Sequence, residues 1–320
     1  MRAIVVGRHG GPEVLEPVER EDPVPGPGEV LIDLAASGVN YIDVYFRTGA
    51  YKQAPPFAPG MEGAGTVAAV GEGVTGVAPG DRVAWQGVLG SYAQRAVVPA
   101  DRTVPVPDGL SLEDAAASLL QGMTAHYLTH STYAVGPGDT VLVHAAAGGM
   151  GLLLTQIAKL RGARVIGTVS TPEKERLARE AGADEVVGYD GFAAEVRRLT
   201  GGEGVAAVYD GVGAATFDGS LESLRPRGTL ALYGAASGQV PPFDPQRLNA
   251  AGSLFLTRPT LAHYTLTRDE LLERAAAVYG WIARGELRLH IGGRYELADA
   301  RRAHEDLEGR RTTGKLLLLP

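Results

Sequence analysis

Two stretches of the chain carry residue types whose spacing could do chemistry. The first is Thr140-Val-Leu-Val-His-Ala-Ala-Ala-Gly-Gly-Met-Gly-Leu-Leu-Leu-Thr-Gln-Ile-Ala-Lys159. A strand-like apolar run passes through glycines into a helix-like run. Ala145, Gly148 and Gly151 form A-x-x-G-x-x-G, a variant of G-x-G-x-x-G. Gly148 and Gly151 allow a sharp turn and leave room for a pyrophosphate. The N–H groups that open the helix at Gly149, Met150 and Gly151, with the helix dipole, then face the anion. The bare pattern is weak; its place between a strand and a helix is what makes it a dinucleotide signal. The alternative is a packing turn without a ligand.

The second stretch decides which dinucleotide. An NAD site places Asp or Glu about 20 residues on, at the end of the next strand, to hold the ribose 2′-hydroxyl. Here that strand ends Thr168-Val169-Ser170-Thr171, with no carboxylate, and Lys174 follows. A 2′-phosphate would meet the Ser170 hydroxyl, helix N–H groups and an ammonium, so the expectation is NADP rather than NAD. Glu173 and Glu175 flank Lys174, and the competing reading is an ordinary solvated helix face. Tyr189, after the third strand, is placed either to border the adenosine or simply to sit half-buried.

Other chemistries are removed by composition. The chain has no cysteine, which excludes disulfides, thiol nucleophiles and thiolate metal sites. Of the seven histidines, His126 and His130 alone share a helix face at i,i+4, without an evident third ligand. They are read as structural or solvated, and no metal is expected. Thirty basic against 37 acidic residues give a net charge of −7, which argues against nucleic acid as a partner. No apolar run approaches the ~18 residues of a membrane span. MRAIVVGRHGG lacks a signal-peptide core, so the cytoplasm is the expected location.

The elements that position these residues follow from periodicity. Residues 1–105 are short Val-, Ala- and Ile-rich runs broken by Gly and Pro, which predicts β structure. No long helical period occurs before Ser111, which can cap a helix with Asp114 in the capping-box slot. From 138 onward strands alternate with helices of 10–15 residues, one of them capped by Thr171 with Pro172 at its first position. That alternation predicts an α/β fold with a parallel sheet of right-handed βαβ units. The stretch ATFDGSLESLRPRG is read as a helix, SLFLTRP as a strand, and the tail as helix, strand, helix and strand. At 320 residues the chain has the length of two domains.

The whole sequence resembles the medium-chain dehydrogenase/reductase superfamily, and within it the zinc-free NADPH:quinone oxidoreductases of the zeta-crystallin type. The resemblance is carried by Gly10-Gly-Pro-Glu-Val-Leu15, Pro27-Gly-Glu-Val-Leu31, Val39-Asn-Tyr-Ile-Asp43 and Pro59-Gly-Met-Glu-Gly-Ala-Gly65. It continues through Gly80-Asp-Arg-Val83 and His144-Ala-Ala-Ala-Gly-Gly-Met-Gly151 to Arg310-Arg-Thr-Thr-Gly-Lys315. Zinc alcohol dehydrogenases share the scaffold but carry Cys where this chain has Asn40 and His where it has Met61. The four-cysteine structural zinc lobe is missing too.

The resemblance implies a doubly wound Rossmann domain, 124–264, inserted into a mostly-β GroES-like catalytic domain of 1–123 plus 265–320. It implies hydride transfer from NADPH to a quinone in a cleft between the domains, lined by a 40–52 loop. In that loop Asn40, Tyr45 and Tyr51 are the candidate catalytic residues. Asn40 would donate to an acceptor carbonyl or hold the cofactor, and the tyrosines would offer flat faces and hydroxyls. Asp43 would fix the loop or reach the nicotinamide ribose. Thr124, Gly211, Tyr233-Gly234, Phe255-Leu256-Thr257 and Arg310 fall where the family surrounds the dinucleotide, with Arg311 making the last register uncertain by one. A homodimer joined near SLFLTRP is also implied. An enone or alkenal reductase and a non-enzymatic NADPH-binding protein are the competing functions.

Overall fold

A computed structural model describes all 320 residues. Labels follow chain order. The strands up to residue 105 are β1 (Arg2–Val6), β2 (Leu15–Glu19), β3 (Glu29–Val39), β4 (Glu62–Val70), β5 (Arg82–Gln86), β6 (Arg95–Pro99) and β7 (Thr103–Pro105). Then come β8 (Thr140–Val143), β9 (Arg164–Thr168), β10 (Glu185–Val187), β11 (Val205–Asp210), β12 (Leu224–Leu232) and β13 (Phe255–Thr257), with β14 (Ile291–Glu296) and β15 (Lys315–Leu319) in the tail. The helices are α1 (Tyr41–Thr48), α2 (Leu112–Tyr127), α3 (Gly149–Leu160), α4 (Pro172–Glu180), α5 (Phe192–Leu199), α6 (Phe217–Ser223), α7 (Gln246–Ala250), α8 (Arg268–Ala283) and α9 (Ala300–Glu308).

The chain divides into two compact units, and the division falls inside α2. One comprises 1–123, 265–285 and 289–320; the other comprises 124–264 and 286–288.

The first unit is built on a seven-stranded sheet ordered β14-β15-β3-β4-β5-β7, with β6 also paired to β3. All its pairs are antiparallel except β14 with β15. Val30, Ile32, Val67, Val83, Trp85 and Val98 form one buried cluster, and Ile4, Val6, Val39, Phe57, Leu316 and Leu318 contribute to another. The C-terminal strand β15 pairs with β3 at Ser37–Val39, immediately before Asn40.

The second unit carries a six-stranded sheet in the order β10-β9-β8-β11-β12-β13, every pair parallel. Numbered within the unit this is 3-2-1-4-5-6, the order of a doubly wound Rossmann sheet. Leu142, Ile166, Phe192, Val208, Phe217 and Leu230 belong to its buried core.

Two elements differ from the sequence expectation. The 40–52 segment is not a loop: residues 41–48 form α1, closed by Gly49 at φ 81°. Its residues Tyr-Ile-Asp-Val-Tyr-Phe-Arg-Thr are mostly β-branched or aromatic, and eight residues are too few to show a helical period. The helix read over ATFDGSLESLRPRG stops at Ser223, and β12 begins at Leu224. There Arg227, in a left-handed conformation at φ 62°, precedes the regular pairing that resumes at Thr229.

Candidate active site

The glycine turn has the shape its residues dictate. β8 ends at Val143 and α3 opens at Gly149 with Gly148 as N-cap and no side-chain cap. Ala145 holds φ 50°, a conformation that glycine takes more readily. The Gly148 N–H closes the turn on the Ala145 carbonyl at 2.9 Å. A Cβ at Gly151 would lie 2.3 Å from the Ala145 carbonyl oxygen and 2.6 Å from Ala146 Cα, so this position admits no side chain. The helix therefore starts with backbone N–H groups that no side chain caps and no carboxylate in its first turn, which fits the diphosphate of a dinucleotide.

Beneath the turn lies a hydrogen-bond chain that sequence reading missed. Ser220 Oγ donates to Asp210 Oδ2 at 2.8 Å and sits 2.9 Å from His144 Nε2, so Nε2 carries the proton. His144 Nδ1 then accepts from Thr168 Oγ1 at 2.9 Å, and Thr168 Oγ1 accepts the Ala145 N–H at 3.2 Å. His144, Asp210, Thr168 and Ser220 are fully buried. Burial pulls the His144 pKa down to about 4 against the opposing pull of Asp210, so it is a neutral support for the turn. The Tyr189 hydroxyl also accepts the Ala145 N–H, at 3.1 Å, which places that tyrosine against the turn.

Because all six strands are parallel, the segments past their C-terminal ends line one edge of the sheet. Past β9, Ser170 is exposed, Thr171 caps α4 by accepting the Lys174 N–H, and the Lys174 side chain is partly exposed in the first turn. Past β11 and β12, Gly211 and Gly234 touch: a Cβ at Gly234 would meet the Gly211 carbonyl oxygen at 2.5 Å. Tyr233 lies beside them, its N–H bonded to Asp210 O at 2.9 Å. Phe255 and Thr257 are on the edge strand β13, with Phe255 62 % exposed. Thr124 is buried within α2. His126 and His130 stack face to face at 4.2 Å, and nowhere do three or more His, Asp or Glu side chains gather as a metal would require.

In the first unit α1 and its flanks hold the acceptor-side candidates together. Tyr45 packs its ring 5.1 Å from Tyr51 and 5.5 Å from Tyr41, giving a ladder of half-buried aromatic faces. Asp43 is wholly buried, and its Oδ2 accepts the Asn40 N–H at 2.9 Å and the Tyr92 hydroxyl at 3.0 Å. It is thus a fixing residue of the α1 start. Its other oxygen, Oδ1, is buried without a partner. Burial pushes its pKa up to about 7, against the pull of those two hydrogen bonds and of Lys315. Tyr92 also meets His304 Nε2 at 3.0 Å, and buried Arg47 joins His304 Nδ1 at 3.0 Å to Glu308 at 2.7 Å.

Asn40 is buried, and its amide is used inside the protein. Lys315 Nζ and Gln121 Nε2 donate to its Oδ1 at 2.8 and 3.1 Å, while its Nδ2 donates to Glu62 Oε2 at 2.8 Å and to the Gly38 carbonyl at 3.2 Å. In the sequence Glu62 and Lys315 stand only as letters of shared motifs, and nothing local singles out Gln121, Tyr92, His304 or Arg47. The available signal was a lone charge in each of two otherwise apolar or glycine-rich strands, Glu62-Gly-Ala-Gly and Lys315-Leu-Leu-Leu-Leu. In the tail Arg311 is paired with Asp306 at 2.8 Å, and Arg310 before it takes a left-handed conformation at φ 55°.

Comparison with known proteins places this arrangement. A family model described as alcohol dehydrogenase GroES-like domain matches residues 26–108, and one described as zinc-binding dehydrogenase matches 149–277. The quinone oxidoreductase of Pseudomonas aeruginosa is 46 % identical, covering 100 % of this chain and 99 % of its own. The 2-haloacrylate reductase of a Burkholderia species is 42 % identical over 99 % of this chain and 98 % of its own. A mycobacterial protein solved in complex with NADPH superposes with a TM-score of 0.98 at 56 % identity, each chain covered completely. A GroES-like domain joined to a Rossmann domain defines the architecture of medium-chain dehydrogenases/reductases. The chain belongs to the quinone oxidoreductase family within that superfamily, and it is an oxidoreductase.

Proposed function

We propose that the protein reduces quinones with NADPH, by hydride transfer that needs no zinc. The observation that carries this reading is the β8–α3 turn with its neighbour past β9. A helix start without a side-chain cap fits a diphosphate. The Ser170 hydroxyl and Lys174, with no carboxylate at the strand end, fit a 2′-phosphate. The NADPH complex of the mycobacterial relative supports it. Bound NADPH would supply the hydride from its nicotinamide ring.

The chain's own residues bind and orient. Gly148, Gly149, Met150 and Gly151 cradle the diphosphate, Ser170 and Lys174 hold the 2′-phosphate, and Tyr189 borders the adenosine. Thr124, Gly211, Tyr233, Gly234, Phe255, Thr257 and Arg310 complete the cofactor side. Tyr45 and Tyr51 offer flat apolar faces to a quinone ring, with Asn40 and Asp43 fixing the helix start that carries Tyr45. A quinone gains aromaticity on reduction, so orientation supplies most of what catalysis requires, and solvent delivers the proton. No metal-ligand set replaces this: Asn40 and Met61 stand at the positions where zinc relatives have ligands, and cysteine is absent. Two copies would pair through the exposed edge strand β13.

A second reading has its own support. The Burkholderia relative is named for reduction of a haloacrylate, a conjugated C=C. Steady-state NADPH consumption on matched naphthoquinones, enones and a 2-haloacrylate separates the two. Quinones should give the higher kcat/KM; an excess of about tenfold or more for the C=C substrates would move the assignment to them.

A further inference from the structure

Lys315 is 3 % exposed and Glu62 is fully buried beside it. The ammonium lies 2.5 Å from Glu62 Oε2 and 2.8 Å from Asn40 Oδ1. The second carboxylate oxygen, Glu62 Oε1, accepts the main-chain N–H of Leu120 at 2.6 Å, in the interior of α2. One ion pair thus ties β15, β4, the β3–α1 junction and α2 together. The packing around it is close: a Cβ at Gly38 would lie 2.3 Å from Glu62 Oε2 and 2.8 Å from Lys315 Nζ.

The two ends of a carboxamide have nearly the same shape, so the groups around it decide which way Asn40 points, and beside the Gly38 carbonyl at 3.2 Å the shorter contacts are to the two charges. An ammonium has only donors and a carboxylate only acceptors. Lys315 therefore takes Asn40 Oδ1, and Glu62 takes Nδ2. Oδ1 then faces Gln121 as an acceptor, and Gln121 must answer with Nε2, which turns its own Oε1 to a buried position without a partner. A neutral pair of similar volume would fill the same space at comparable stability, since desolvation offsets much of a buried ion pair's attraction. What a neutral pair would not do is impose this polarity from both sides: only the longer bond to the Gly38 carbonyl would remain.

We propose that Lys315, held by Glu62, is a positioning residue of the redox site. It locks the amides of Asn40 and Gln121, and through them the start of α1 that leads to Tyr45 and the turn of α2 that leads to Thr124. This rests on the quinone reductase reading, which assigns Tyr45 to the acceptor. The lysine acts through other groups and does not touch the reacting atoms.

The chain contains two asparagines, buried Asn40 and exposed Asn249. Protein labelled with 15N at asparagine alone therefore gives two side-chain amide pairs in an NMR spectrum, one of them an internal reference. In the NADPH-loaded wild type the Asn40 pair should exchange with solvent about tenfold more slowly than Asn249, or slower still. The double variant E62Q/K315M removes both charges at similar volume, with E62Q/K315L as the replacement should it fail to fold. In either, Asn40 exchange should quicken toward that of Asn249. The kcat with a naphthoquinone should fall about 10- to 100-fold while KM for NADPH stays within about twofold. Wild-type Asn40 exchanging as fast as Asn249, or a double variant with wild-type kcat, would overturn the proposal. A wild-type protein that fails to oxidise NADPH with any quinone would instead sink the functional reading, and the exchange measurement would still report on the lock.

Discussion

At the scale of single residues the most consequential group is Asp43, a wholly buried carboxyl with one oxygen unpartnered. Burial pushes its pKa up to about 7 from the ordinary carboxylate value near 3.8, so between those values the folded state holds a proton that the unfolded chain has released. Stability from this group is then lost as pH rises from near 4 to near 7, and stays lost above. Buried His144 and His304, lowered to about 4 and about 3, act oppositely: they lose stability as pH falls below the 6.5 of a free imidazole. Comparing Asp43→Asn with wild type isolates the carboxyl. The amide oxygen can still accept from Asn40 N–H and Tyr92, so the variant should match wild type at pH 5 and melt several degrees higher at pH 8. A melting difference independent of pH, followed by calorimetry, would contradict the assigned burial cost. Lys174→Ala tests the other charge: NADPH affinity should weaken about tenfold or more, the worth of a charge-assisted hydrogen bond, with NADH nearly unaffected in a fluorescence titration. Equal losses would remove Lys174 from the phosphate site. Lys174 and the glycines could be picked out as candidates because they follow a strand at fixed spacing. Glu62, Lys315 and His304 were hidden because their partners lie 253 and 257 residues away along the chain.

At the scale of elements the β8–α3 turn carries the most weight. Gly151→Ala sets a Cβ against three backbone atoms, none of which can rotate away. The turn must open, and NADPH affinity should fall about tenfold or more even if the fold survives. Unchanged affinity by titration calorimetry would mean that the turn does not hold the diphosphate. The strands and this turn could be read from the sequence because their signals are local: Val- and Ala-rich runs ended by glycine. Helix α1 could not be read in the same way. Its side chains favour strands, and what makes it a helix is Asp43 reaching back to the Asn40 N–H, Gly49 closing the end, and Arg47 buried between His304 and Glu308. That last contact comes from α9, far along the chain. The early end of α6 was equally illegible, since Leu224 pairs with Val205 of β11 in a contact that no local pattern announces.

At the scale of the whole molecule, alternation of strands and helices specified the parallel sheet of the second unit, and the motifs shared with quinone oxidoreductases extended the reading to the first. Exposed Phe255 on β13 leads to one expectation for assembly: sedimentation should give a dimer, and Phe255→Glu should shift it toward monomer. A wild-type monomer at micromolar concentration would remove the edge strand from the interface. The central claim is that a hydride passes from NADPH to a quinone under the control of this chain's binding residues alone. Its most direct test is a single-turnover reaction of protein loaded with NADPH stereospecifically deuterated at nicotinamide C4, mixed with a naphthoquinone in metal-free buffer. Oxidation should be slower for one of the two deuterated faces, with one hydroquinone formed per NADPH consumed. Equal rates for both faces accompanied by a semiquinone signal, or a reaction that starts only when zinc is added, would contradict it.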